Sequence, residues 1–258
     1  MGVVIDLAAQ VSVKAELGEN VRIGPNCYVG PHVVLGDGCW LQSMVRIDGW
    51  TTVGKDCRFF HGAVVGSEPQ DLKFKGGPTR LRVGNSCVFR EYCTINRATF
   101  EGEETALGDR NLIMAYAHIA HNCQVHSDVI LGNSVNLAGH VTVEDFAIIS
   151  GVTPVHQFTR IGQHCIIGGG SRVPKDVAPF VKAAGNPLRN YGLNSVGLQR
   201  RGFSPEVQAA LKKVYRIFFR SGLRVEEALK RIRTELPNFP EAEAFCHFAE
   251  TSKRGITR

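Results

Sequence analysis

The sequence predicts an all-β repeat with an α-helical end: a parallel β-helix of hexapeptide coils, followed by a short helical domain. Three observations predict it. An apolar residue recurs at every sixth position, only two polar stretches interrupt the frame, and the period becomes helical near the C-terminus. Counting from Ile5, the frame reads Ile5, Val11, Leu17, Ile23 and onward to Val65. It resumes at Val83, Phe89 and Ile95, and runs from Leu107 to Val173 with every position apolar. The misses are Asp71, Gly77 and Glu101. A six-residue period over about 170 residues marks a solenoid that stacks coil on coil. Three hexads close one triangular coil of eighteen residues, with three short parallel strands meeting at corners. Solenoids of this period wind left-handed, so a left-handed parallel β-helix is expected.

Residues 1–65 read as unbroken hexads, with Gly18, Gly24, Gly30, Gly36 and Gly54 expected to supply turns. Gly66 to Arg80 is polar, rich in turn residues and too long for a corner, so it reads as a projecting loop of the kind that carries function. A second excursion spans Asn96 to Ala106. Hexads then run to Val173, and the repeat closes around Pro174 to Pro179, which sets a β-helix over 1–180 and a linker with helices over 181–258. The linker contains Gly185 to Gly192. Ser204 before Pro205 is a helix start, with a capping hydroxyl and a proline in the first turn. Val207, Leu211, Val214 and Phe218 recur at helical spacing, and Gly222 is a stop. Further helices fit Val225 to Leu236 and Pro240 to about Ser252. The first of the three shows Lys212, Lys213, Arg216 and Arg220 on its polar side, either as an ordinary solvated face or as a docking surface.

Composition limits the function classes. The net charge is +6, but from Val181 onward the chain carries fifteen Lys and Arg against seven Asp and Glu, so the basic excess lies in the C-terminal part. A basic appendage points to an acidic partner. No apolar run is long enough to span a membrane, and the start lacks a signal core, so a cytoplasmic protein is expected. Of the eight cysteines, Cys27, Cys39, Cys57, Cys87, Cys93, Cys123 and Cys165 all occupy the fifth position of their hexads. That slot faces inward and elsewhere holds Ala or Val. These cysteines therefore read as small buried apolar residues, and no CxxC pair suggests a metal.

Chemistry concentrates between Ala117 and Gln157, which hold five of the nine histidines. Histidine titrates nearest neutral pH, so a cluster suggests proton transfer or metal binding. The eighteen-residue coil places His118, His121, His140 and His156 near one corner on three successive coils, about 4.8 Å apart per coil. His126 falls elsewhere on its coil. His32 shares the corner but lies about five coils away.

The motifs QDLKFKG (Gln70 to Gly76), AHIAHNC (Ala117 to Cys123), LAGHV (Leu137 to Val141), VHQF (Val155 to Phe158), GNP (Gly185 to Pro187) and GLQRRGF (Gly197 to Phe203) together resemble the UDP-N-acetylglucosamine O-acyltransferase family over essentially the whole chain. The resemblance implies a homotrimer that moves a 3-hydroxyacyl chain from acyl carrier protein to the glucosamine 3-hydroxyl of UDP-N-acetylglucosamine, the first step of lipid A synthesis. It implies no cofactor, no metal and no nucleic acid. By the same resemblance His121 is the general base and the Gly139 N–H stabilises the oxyanion. His118, Asn122, His140, His156 and Gln157 line the acceptor and acyl site. Gln70, Asp71 and Lys73 reach the substrate from a neighbouring subunit. Asn194, Arg200 and Arg201 hold the nucleotide, and Gly169 lies along the acyl groove about one hexad beyond the histidines. The chain departs from the family at three positions: Asn122 stands where Asp is frequent, Asn96 where His is frequent, and Val196 where Glu is frequent. Asn122→Asp is accordingly expected to raise the rate modestly.

Other readings use the same residues. A carbonic anhydrase on this repeat would need zinc between adjacent chains; His121 and His126 have HxxxxH spacing, but a partner two coils earlier is missing and His61 is too far back. A non-catalytic scaffold or ice-binding surface leaves the histidine column and basic tail without a role. An N-acyltransferase acting on an amino sugar nucleotide is compatible with the fold, which cannot choose between acceptors.

Overall fold

The computed structural model describes residues 2–258. The coil strands run from Val4–Ile5 to Ile166–Ile167, and nearly all are two residues long with the frame residue second. They build three parallel faces. The first continues from the Val4–Ile5 strand, the second from Gln10–Val11 and the third from Glu16–Leu17. Partners are eighteen residues apart, as in Ile113↔Leu131, Ile119↔Leu137 and Val125↔Val143. Frame residues from the three faces meet along the prism axis with the fifth-position residues between them, and from Ile23 onward the frame is buried. Each Val, Ile or Leu withdrawn in this way contributes about 1.5–3 kcal/mol. Phe59 and Phe89 stack at 4.8 Å inside the prism. Burial pushes the Cys93 and Cys123 thiols up to about 12, so they are inert packing groups as expected.

The excursions do not disturb the frame because each adds whole hexads. Across the first, partners are thirty residues apart (Val53↔Val83, Phe59↔Phe89, Val65↔Ile95). Across the second they are twenty-four apart (Ile95↔Ile119, Val83↔Leu107). The added lengths are twelve and six residues, so every later side chain returns to its own face.

Two expectations need correction. Gly18, Gly24, Gly30, Gly36 and Gly54 do not carry the turns, for none of them has a positive φ. They are small because the next coil passes over them: a Cβ on Gly24 would meet the Gln42 carbonyl oxygen at 1.6 Å. The left-handed corner residues are instead Asn20, Asn26, Asp56, Asn122, His140, Phe146, Phe158, His164 and their equivalents. Nor does the β-structure stop at 180. Val181–Ala184 adds to the first face beside Ile166–Ile167 and pairs antiparallel with Arg189–Leu193, so the expected linker is a hairpin strand.

Four helices follow: α1 (Ser195–Arg200), α2 (Pro205–Arg220), α3 (Val225–Glu235) and α4 (Pro240–Glu250). The last three match expectation, and Ser204 caps α2 by accepting from the Val207 N–H at 3.3 Å. The short α1 was not foreseen. The chain end returns to the β-helix, where Asp176 accepts from the Ser252 hydroxyl at 2.7 Å and its carbonyl from the Thr257 N–H at 2.8 Å.

Candidate active site

Two of the prism's edges carry unusual side chains. The edge between the second and third faces is the histidine corner. There Asn122, His140 and Phe158 occupy the left-handed position on successive coils, at φ of 61°, 60° and 63°. His140 stacks on Phe158 at 4.7 Å and meets His121 edge-on at 5.2 Å. His121 lies directly over Gly139: a Cβ there would come within 2.6 Å of the imidazole. Only glycine leaves room for that ring, and the Gly139 N–H donates to no protein acceptor among the described residues.

Both nitrogens of His121 face defined groups. Nδ1 lies 2.9 Å from Asn122 Oδ1, and Nε2 lies 3.8 Å from Asp71 Oδ2. Asn122 Oδ1 also accepts from the Thr99 N–H at 3.2 Å, while Asn122 Nδ2 donates to Glu103 Oε2 at 2.7 Å. These contacts fix the amide orientation. Oδ1 is then an acceptor toward His121, so Nδ1 donates to it and, in the neutral ring, Nε2 carries no proton.

The first excursion is held over this corner by two buried residues of the second. Arg97 donates to the Gly66 carbonyl at 3.2 Å, to Thr79 Oγ1 at 3.1 Å and to Glu68 Oε1 at 3.3 Å, joining both ends of the loop. Asn96, at the position where the resemblance departs, donates to the Glu68 carbonyl at 2.8 Å. Asp71 Oδ1 accepts from the Lys73 N–H at 3.0 Å, which turns Oδ2 toward His121. That backbone hydrogen bond, joined by the fields of His121 and Lys73, holds the Asp71 carboxyl below the usual range. The loop was expected to serve a neighbouring subunit; at Asp71 it closes on the histidine of its own chain.

The remaining histidines differ in environment. His118 Nδ1 lies 2.7 Å from Thr94 Oγ1, and burial lowers its pKa. His140 is lowered too, by burial first and then by His121. Both are neutral at physiological pH. His156 and Gln157 are exposed one coil further along the same edge, with His156 Nδ1 donating to the Gln157 carbonyl at 3.1 Å.

The edge between the third and first faces is the arginine corner. Phe146, His164 and Phe180 occupy its left-handed positions, with ring centroids 4.7 Å and 5.8 Å apart. Arg201 reaches over Phe146 at 5.3 Å and donates to the Phe146 carbonyl at 3.0 Å. Its Nη1 and the Nδ1 of His164 are buried without a protein partner. Burial, helped by the Arg201 charge, pushes His164 down to about 4. Burial also lowers Arg201.

The structure thus gathers His118, His121, Asn122, Gly139, His140, His156, Gln157 and Asp71 at one edge, with Gln70 and Lys73 on the loop above. It places the other expected residues apart. Arg201 is at the arginine corner, with exposed Arg200 at the end of α1. Asn194 is buried there as the α1 cap, accepting from the Gly197 N–H at 3.2 Å and donating to the His164 carbonyl at 2.9 Å. Its side chain is held at the corner by these two contacts. Gly169 is on the third edge, between the first and second faces, with the Gly151 carbonyl oxygen 3.2 Å from where its Cβ would be. It lies two corners past His156, not one hexad beyond the histidines. Glu103 and His164 were missed. His164 could have been found by the eighteen-residue rule, which puts it one coil above Phe146; Glu103 lies on the second excursion, outside the repeat.

The C-terminal residues 176–257 match the family model described as UDP N-acetylglucosamine O-acyltransferase, domain 2, and residues 14–49 and 104–139 match the bacterial transferase hexapeptide repeat. An acyl-[acyl-carrier-protein]–UDP-N-acetylglucosamine O-acyltransferase of Thermodesulfovibrio yellowstonii is 49% identical over 98% of this chain and 99% of its own. One of the same name from Synechocystis is 52% identical over 73% of this chain and 68% of its own. The crystal structure of a UDP-N-acetylglucosamine acyltransferase from Bacteroides fragilis superposes with a TM-score of 0.96, at 39% identity over 98% of this chain and all of that one. The repeat is accordingly the left-handed parallel β-helix, and the chain belongs to the UDP-N-acetylglucosamine O-acyltransferase family of acyltransferases.

Proposed function

We propose that this enzyme transfers a 3-hydroxyacyl chain from acyl carrier protein to the glucosamine 3-hydroxyl of UDP-N-acetylglucosamine, opening lipid A synthesis in the cytoplasm, with His121 as general base. The observation that carries the role of His121 is its tautomer: Asn122 Oδ1 accepts a hydrogen bond from Nδ1–H, which in the neutral ring leaves Nε2 free beside Asp71 and Gly139.

The sugar oxygen attacks the thioester carbonyl while its proton passes to His121 Nε2. The tetrahedral oxyanion accepts from the Gly139 N–H. Collapse expels the thiolate, which recovers the proton from His121, giving the ester and the free carrier thiol. Neutral His118 and His140, with His156 and Gln157, line the acceptor and acyl path without adding positive charge that would oppose the imidazolium. Gln70, Asp71 and Lys73 hold the acceptor sugar over the base.

A homotrimer accounts for the separation of the two corners. Arg201, with a buried N–H lacking a protein partner, suits a diphosphate, but in one chain it is on a different edge from His121. A sugar nucleotide bridges base and arginine when a second prism brings its arginine corner beside this histidine corner. Exposed Leu72, Phe100 and Phe158 around the histidine corner, and Tyr116 and Val152 near Gly169, are surfaces that a neighbouring copy would cover. The unpaired Lys212 and Arg216 on α2 offer a docking face for an acidic carrier, whereas Lys213 is already bound to Glu235 at 2.7 Å.

The test is a competition assay with purified protein, a 3-hydroxyacyl carrier donor and equal UDP-N-acetylglucosamine and 3-amino analogue, read by mass spectrometry. The ester should dominate. Formation of the amide alone would replace the hydroxyl acceptor by an amine.

A further inference from the structure

The residue beside the catalytic histidine is a neutral amide, and a neutral amide cannot stabilise an imidazolium as a carboxylate does. The contacts around it place the charge one step further out. Glu103, on the second excursion, is one coil below His121, and its Oε2 accepts from Asn122 Nδ2 at 2.7 Å. Asn122 Oδ1 accepts in turn from His121 Nδ1 at 2.9 Å. The three side chains form a line from carboxylate to amide to imidazole.

We propose that Glu103 is a positioning residue that acts on His121 through the Asn122 amide. It keeps Oδ1 turned to the ring, so Nε2 stays free, and it polarises the amide toward the imidazolium formed during transfer. This rests on His121 being the base. The charged and titratable groups around that ring are Asp71 and Lys73 on the first excursion, His118 on the preceding strand, His140 on the next coil and Glu103 below. His118 and His140 are neutral, and Lys73 opposes protonation. Asp71 faces Nε2, where the acceptor hydroxyl must come, so Glu103 is the carboxylate on the Nδ1 side.

The relay reverses the expectation for Asn122→Asp. That change would put a second carboxylate where Asn122 now donates to Glu103. Two such groups at this separation cannot both ionise freely, so one holds a proton and the gain is lost. The informative variant is the exchange, Asn122→Asp with Glu103→Gln. Asp then accepts the Nδ1–H hydrogen bond directly, Gln donates to Asp, and the corner keeps its shape and its net charge.

The experiment measures two quantities for wild type, Glu103→Gln, Asn122→Asp and the double variant. The first is the pH profile of kcat/KM. The second is the pKa and tautomer of His121, read by nitrogen NMR on histidine-labelled protein, with His121→Gln identifying the signal. Glu103→Gln should keep the Nδ1–H tautomer, since the Gln carbonyl can still accept from Asn122. It should lower the His121 pKa by at least about half a pH unit, less than the roughly 1–3 units of a charge in direct contact. The acid limb of kcat/KM should move down in pH with it, and the plateau should fall by about 3- to 10-fold. Asn122→Asp alone should not exceed wild type. The double variant should recover to within about twofold, a coupling that independent structural damage does not produce. An unchanged His121 pKa in Glu103→Gln, or losses that simply multiply in the double variant, would overturn the relay. If the pKa follows the exchange while His121→Gln turns over normally, the relay stands and the general-base assignment fails.

Discussion

The histidine and arginine corners occupy the same kind of position in the repeat and have opposite characters. Each is a column of left-handed residues one coil apart, with aromatic and imidazole rings stacked along it. At the histidine corner His121 Nδ1 and the Asn122 amide have partners, and the two excursions bring Asp71 to the ring and Glu103 to the amide. At the arginine corner α1 lies beside the column, His164 is buried and Arg201 half-buried, and each keeps a buried nitrogen without a partner. The backbone is the same in both. What packs outside each edge decides whether an imidazole there becomes a base or is held neutral beside a desolvated cation. The contrast supports the proposed roles, proton transfer at one corner and anion binding at the other.

The strongest way to break this contrast is to remove the base. His121→Ala should lower kcat by at least about 10²-fold with the assembly intact, because the ring is at an edge and contributes little to the core. Light scattering and steady-state rates would check it; near-wild-type kcat would return the histidine corner to a structural role.

The next largest effect is on stability at the arginine corner. A folded pKa of about 4 for His164, below its unfolded value, means the native state resists protonation there. The stability is fully present above the unfolded pKa of about 6.5 and declines as pH falls, by about 2 kcal/mol at pH 5 and about 3 at pH 4. His164→Phe should flatten that decline while preserving the stack. Urea midpoints at pH 7.5 and 5 measure it, and equal midpoints in the wild type would show that His164 titrates normally.

Arg201→Ala should act on binding alone. Losing one charged contact to diphosphate should raise the KM for the sugar nucleotide by about tenfold, with the acyl-donor KM and kcat little changed. A fall in kcat of the same size would mean that the two corners are not separate in function.

Much of this was legible in the sequence because a hexapeptide repeat converts spacing into position. The six-residue frame located every coil strand, and the eighteen-residue coil brought His121 to His140 and excluded His32 and His126. It failed where residues leave the repeat. The excursions have no period, so the approach of Asp71 to His121 of the same chain is not legible. The 181–193 segment reads as a linker because its hairpin lacks hexads. That Asn194 caps α1 was not legible, because the helix is too short to leave a periodic signal.

The sequence by itself determined the prism, the fifth-position cysteines and the alignment of the histidines, since each follows from which side chains must leave water at a fixed interval. Tertiary structure alone decided the electrostatics. Whether His121 faces an amide or a charge depends on where Glu103 and Asp71 come to rest. That depends on Arg97 and Asn96 joining the two loops across nearly thirty residues of chain. Hydrogen bonds at such separations have no local signature.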